Sequence, residues 1–142
     1  MRKLEIYYYG KIKNLAIKEL VEYYTLLCNK TLKVELVCLK DPGERKITIH
    51  DLPKKAKLIL LSEKGKEYST LKFKEQLTKW IEQFSEVYFV IGNAYGFSEE
   101  LLEQYQLLSL SQLTTAHELA LVILLEQLFR VLDLARGGKY HK

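Results

Sequence analysis

The sequence predicts a three-layer α/β fold built on a mainly parallel sheet, and three observations predict it. Short runs rich in aliphatic and aromatic residues alternate along the chain with stretches whose apolar residues recur every three or four positions, the patterns of strand and helix in turn. Two of those runs, "AKLILLS" (56–62) and "EVYFVIG" (86–92), are apolar at nearly every position, as strands covered on both faces are. The length of 142 residues suits one core and would cramp two, so residues 1–142 read as a single domain.

The elements follow in order. "KLEIYYYG" (3–10) is β-rich and closes on Gly10. From Ile12 to Cys28 the apolar positions Ile12, Leu15, Ala16, Leu20, Val21, Tyr24, Leu27 and Cys28 step with helical spacing. "KVELVCL" (33–39) is a second strand, stopped by the turn "DPG" (41–43), and the stretch 40–56 leaves room for a turn or two, limited by Pro53. The third strand is 56–62, after which "LSEKGKEYST" (61–70) reads as a connection. A helix over 70–84 sets Phe73, Leu77, Trp80, Ile81 and Phe84 on one stripe. The fourth strand (86–92) leads to a short helix, "SEELLEQY" (98–105), capped by Ser98 with Glu99 and Glu100 in its first turn. "LLSLS" (107–111) is a fifth strand. Thr115 and Glu118 form a T-x-x-E capping box opening a long helix, which Gly137 and Gly138 end near Arg136.

Composition excludes several classes. With 48% hydrophobic and 28% charged residues the chain is neither disordered nor fibrous. The run "LALVILL" (119–125) is far short of the roughly 20 residues that span a bilayer, and the opening residues hold no secretory signal pattern. Cys28 and Cys38 form no C-x-x-C and sit in apolar stretches, which predicts buried, reduced thiols and a cytoplasmic setting. The three histidines lack zinc spacing, and no G-x-S-x-G, G-x-G-x-x-G or Walker loop occurs, so no metal is expected. The net charge is +4, and Arg130, Arg136, Lys139 and Lys142 crowd the end of the chain against one acid, Asp133. Those cations suit either a helix C-terminus or a polyanion. Between Leu119 and Leu125 the last helix is apolar nearly all round, which favours a homodimer packed through it.

Ligands of open α/β sheets bind beyond the carboxyl ends of strands. Two such ends stand out: "FVIGNAYGF" (89–97), where Gly92 and Gly96 bracket a turn, and "LSLSQLTTAHE" (108–118), which offers the hydroxyls of Ser109, Ser111, Thr114 and Thr115. Each also reads as an ordinary turn or helix cap.

"LLSEKGKEYST" (60–70), "FVIGNAYGF", "LSLSQLTTAHELALVILLEQLFR" (108–130) and the terminal "GKYHK" (138–142) come in the order, and nearly at the spacing, of the RlmH family. The chain resembles that minimal branch of the SPOUT methyltransferases over nearly its whole length. The resemblance implies a C-terminal trefoil knot, a homodimer packed through the knot and last helix, and a pocket for S-adenosyl-L-methionine. Carried across by position, the cofactor contacts would be Leu61, Gly92, Leu110, Ser111, Gln112, Leu113, Thr114 and Thr115. The implied reaction is methyl transfer to N3 of a pseudouridine in helix 69 of 23S rRNA, on the assembled ribosome. Tyr140, His141 and Lys142 would lie near the cofactor and target base, the tail folding back on its glycine pair. His141 would serve as base or proton relay, Lys142 would hold a phosphate or steady an oxyanion, and Tyr140 would stack on the base. The chain departs from the family at three places. Its glycine loop has Asn93, Ala94 and Tyr95 where a second glycine and two variable residues are usual. Ala116 replaces a proline, and the 40–56 segment is about a helix short. These departures keep in view a catalytically impaired RNA-binding module of the same fold. Without the resemblance, a flavodoxin-like small-molecule binder would be the alternative.

Overall fold

The structure is a computed structural model that describes residues 2–142. Five strands, β1 (Lys3–Tyr9), β2 (Lys33–Leu39), β3 (Leu58–Glu67), β4 (Glu86–Ile91) and β5 (Gln106–Ser109), form one sheet in the order β2-β1-β4-β3-β5. Every pairing among them is parallel, so all carboxyl ends lie along one edge. The helices are α1 (Leu15–Cys28), α2 (Thr70–Phe84), α3 (Glu99–Gln104) and α4 (His117–Ala135).

Strand alternation divides the core in two. Leu4 and Ile6 of β1 face a large cluster with Phe89 and Ile91, covered by α1, α2 and α4 through Val21, Leu77, Trp80 and Leu128. Tyr7 and Tyr9 face the other way, into a smaller cluster with Leu60, Val90, Ile47, Phe97 and Leu101, covered only by α3 and the irregular segment 40–57. Connections from the adjacent strands β3 and β4 therefore leave to opposite faces, α2 to one and α3 to the other. Such divergence opens a crevice at the strands' carboxyl ends.

Most elements fall where the sequence places them, with four differences. Helix α1 begins at Leu15 rather than Ile12, because Asn14 caps it by accepting from the Ile17 amide. Strand β3 does not end at Ser62 but bends and runs to Glu67, re-pairing with β5 at Lys66–Leu108 after a register shift. Gly65 permits this: a Cβ there would lie 2.7 Å from the Leu107 Cβ. The Thr115 capping box does not form; α4 starts at His117 with Ala116 as its uncapped N-terminal neighbour, since 110–116 is drawn out as a cavity wall. Finally, Cys28 is buried, its thiol pushed up to about 12 by burial, but Cys38 on edge strand β2 is exposed. Both are unpaired.

Helix α4 is not buried on every side. Leu121, Leu124 and Leu125 are inside, whereas Leu119 and Ile123 are 45% and 39% exposed, beside an α1 that also exposes Leu20, Tyr23 and Leu26.

Candidate active site

At the crevice between β3 and β4 lies an open cavity of about 720 Å³, within the roughly 300–1,000 Å³ span of small-molecule sites. Three chain segments wall it: 61–64 at the bend of β3, 91–97 after β4, and 110–117 with Ala120 and Ile123 of α4. Of the sequence-derived cofactor residues, Leu61, Gly92, Leu110, Ser111, Leu113, Thr114 and Thr115 all line it; Gln112 is exposed and does not.

Local chemistry shapes each wall. A side chain at position 92 would press on the neighbouring ring, its Cβ 3.3 Å from Phe97, so glycine lets the backbone edge the cavity directly. Gly96 turns the chain with φ +76°. In the third wall the Ser111 hydroxyl accepts from the Leu113 amide at 3.0 Å, and its carbonyl accepts from the buried Ser109 hydroxyl at 3.0 Å. These bonds hold 109–113 in a tight non-helical turn. The Thr114 hydroxyl reaches across to the Glu63 carboxylate at 3.4 Å, joining the first and third walls. The result is an apolar slot (Leu61, Ile91, Leu110, Leu113) beside one carboxylate and several hydroxyls.

The terminal residues lie elsewhere. Gly137, at φ +80°, reverses the chain after α4. Gly138 sits against the Asp133 carboxylate, where any Cβ would collide. Asp133 is 3% exposed; it accepts from the Tyr140 amide at 3.0 Å and from Arg136 Nε at 3.0 Å, and these bonds hold its carboxyl below the usual range. Tyr140 packs its ring on Phe129, with centroids 4.6 Å apart, and under the Arg130 guanidinium at 4.7 Å. Its hydroxyl donates to Glu126 at 2.7 Å, which pushes the phenol above its ordinary value. Burial works against the Glu126 carboxylate, but hydrogen bonds from Arg130 and Tyr140 outweigh it and lower its pKa.

His141 Nδ1 lies 3.1 Å from Arg130 Nη1. A guanidinium only donates, so Nδ1 must accept, and a neutral ring then carries its proton on Nε2. Thus Tyr140 and His141 dock on Glu126 and Arg130, one to two turns along α4 from Ile123 at the cavity rim. None of Tyr140, His141 and Lys142 lines the cavity of its own chain.

The profile of a family described as "Predicted SPOUT methyltransferase" matches residues 2–141. The chain belongs to the SPOUT methyltransferase family. Among curated SPOUT relatives, a protein of Thermodesulfovibrio yellowstonii is 36% identical over 151 residues, covering 99% of each chain. One of Kosmotoga olearia is 34% identical, covering 97% of this chain and 98% of its own, and one of Synechococcus is 37% identical, covering 99% and 95%. Each bears the name ribosomal RNA large subunit methyltransferase H.

S-adenosylmethionine is the methyl donor of SPOUT enzymes, and the donor set here suits it. The apolar slot can take an adenine, Glu63 can accept from ribose hydroxyls or an ammonium, and the Gly92 edge and the 111–115 turn offer close backbone. No cluster of metal ligands occurs among the described residues. Sequence reasoning missed Glu63, Phe97 and Ile123 as cavity residues. Glu63 lay in the 61–70 stretch read as a connection, Phe97 closed the 89–97 loop without being named, and Ile123 lay in the apolar run assigned to a dimer contact.

Proposed function

We propose that this SPOUT enzyme methylates N3 of a pseudouridine in helix 69 of 23S rRNA on the assembled ribosome, as a cytoplasmic homodimer of single-domain chains spanning 1–142. The observation carrying this reading is the coincidence of seven family-derived cofactor positions (Leu61, Gly92, Leu110, Ser111, Leu113, Thr114 and Thr115) on one cavity at the sheet's switch point. The rRNA substrate follows the names of relatives aligned over nearly the full chain. The trefoil knot in this reading goes with the SPOUT family match over residues 2–141. No helix among the described residues is long and apolar enough to cross a membrane.

The bound cofactor supplies an electrophilic sulfonium methyl. What the chain supplies is orientation and proton handling. Leu61, Leu110 and Leu113 exclude water around the donor, while Gly92 and the 111–115 turn fix its polar groups. The target N3 must lose its proton as the new bond forms, and His141 is the group for that transfer. Because the basic lone pair on Nδ1 is engaged by Arg130, the ring must leave Arg130 before it can act as base. The tail lies off its own chain's cavity, and Leu119, Ile123, Leu20, Tyr23 and Leu26 leave an apolar surface over α4 and α1. A second copy packed there covers that surface and sets a tail beside its partner's cavity. Tyr140 then stacks on the base and Lys142 holds a phosphate.

The test is transfer of label from S-adenosylmethionine to ribosomes lacking the helix 69 methyl group, with the product mapped by mass spectrometry. Full-length protein should label that N3, and a chain ending at Gly138 should lose at least about 100-fold in rate, the usual scale of a lost acid–base group. Ribosome binding without label would favour the RNA-binding module, for which the half-exposed Tyr95 at the cavity is the supporting observation.

A further inference from the structure

Two departures from the family pattern, Asn93 in the glycine loop and the short 40–56 connection, meet in the structure. Asn93 is only 7% exposed. Its side-chain nitrogen faces three acceptors of the short connection: Asp41 Oδ1 at 3.2 Å, the Gly43 carbonyl at 3.3 Å and the Arg45 carbonyl at 3.0 Å. Its side-chain oxygen accepts from the Tyr95 amide at 3.0 Å. The orientation of the amide is set by this division, since all acceptors lie on one side and the sole donor on the other. Hydrogen bonds from the Gly43 amide and from Asn93 hold the Asp41 carboxyl below its usual range, so it is an ionised acceptor at neutral pH.

The same two segments are joined again further along. Ile47 donates to the Gly96 carbonyl at 2.8 Å and accepts from the Ser98 amide at 2.9 Å, a one-residue parallel bridge to the far end of the glycine loop. Ile47 itself is fully buried. The short connection is stiffened in turn by Asp51, which takes both Arg45 Nη atoms at 2.7 and 2.9 Å and the Thr48 amide at 2.9 Å. Lys46, between the two joints, lines the cavity.

We propose that Asn93 is a positioning residue for the methyl donor. It fastens the 92–96 loop to the 41–45 turn, so that the shortened connection braces the cofactor wall from behind. A glycine at 93 would leave that wall joined to the connection only through Ile47. The inference rests on the reading of the cavity as the S-adenosylmethionine site.

The test measures S-adenosylhomocysteine binding by calorimetry, the KM for S-adenosylmethionine, kcat, and thermal melting for wild type, Asn93→Ala, Asn93→Gly and Asn93→Asp. Asn93→Ala and Asn93→Gly should each weaken binding about tenfold, the scale of one to two lost hydrogen bonds, and raise KM in step. Saturating donor should restore kcat to within about twofold. Asn93→Asp keeps the bond to the Tyr95 amide but turns a carboxylate toward Asp41 and two carbonyls, so its loss should be the largest. Lower melting temperatures with unchanged donor affinity would reduce Asn93 to a folding residue and overturn the proposal. So would an Asn93→Asp protein that binds like wild type. Failure of the wild-type protein to bind either molecule would overturn the reading of the cavity itself, and this proposal with it.

Discussion

On one face of the sheet three helices bury a continuous aliphatic core, with Leu124, Leu125 and Leu128 wholly withdrawn from solvent. On the other, a six-residue helix and the irregular 40–57 segment cover a smaller cluster, and polar clamps take over from packing: Asn93 on the 41–45 turn, Arg45 on Asp51, and the Tyr9 hydroxyl on the Asp51 carbonyl at 2.8 Å. The thick face carries the stability of the fold. The thin face lies behind the 91–97 wall of the cavity, where directional bonds fix a loop more sharply than aliphatic contact does. The cavity draws on both: Leu61, Ile91, Leu110 and Ala120 belong to the thick cluster, while Asn93 and Phe97 tie its second wall to the thin face.

The largest expected effect is on the thick face. Leu128→Ala should lose about 2–5 kcal/mol in denaturant unfolding, the range for a fully buried leucine, yet leave the donor affinity of the folded protein unchanged. A parallel fall in affinity would break the contrast. On the thin face, Phe97→Leu should cost only about 1.5 kcal/mol but weaken donor binding, because the Phe97 ring stands against Gly92.

Smaller still is Asp51→Asn, at about 1 kcal/mol or less, since Arg45 is half exposed and the pair is screened. Its pH dependence has a definite sign. Hydrogen bonds from Arg45 hold the Asp51 carboxyl well below the usual carboxylate range in the folded state. The contribution is therefore complete above the unfolded value, about pH 4, and drains away as pH falls toward the folded one. Urea midpoints of wild type and Asp51→Asn should differ most at neutral pH and converge only in strong acid. At the bottom of the scale, Leu113→Ser should leave stability within about 0.5 kcal/mol, because Leu113 is 77% exposed, while still weakening donor binding.

The thick face was the more legible of the two. Phe73, Leu77 and Trp80 announce α2 by spacing alone, and the five strands stand out because parallel, buried strands are apolar throughout. The thin face has no such period. Its structure depends on contacts between residues some fifty positions apart, such as Asn93 with Asp41, which no local pattern encodes. The Thr115 capping box shows the opposite failure: a sound local signal was overridden because the chain at 110–116 is stretched around a cavity. The extension of β3 to Glu67 was hidden for a related reason, since "EKGKE" is polar and becomes strand only by pairing with β5 at the sheet edge. The site was half legible. Gly92 and the 111–115 hydroxyls marked themselves by chemistry at strand ends, but nothing in "GKYHK" says that Tyr140 and His141 dock on Glu126 and Arg130.

The most direct measurement is amide hydrogen exchange with and without saturating S-adenosylmethionine. Added protection should appear in 91–97 and 110–117, and, through the Asn93 and Ile47 joints, in 41–48 on the thin face, while α2 on the thick face stays unchanged. Protection absent from all three segments, or centred on α2, would contradict a donor site at the β3–β4 crevice braced by the short connection.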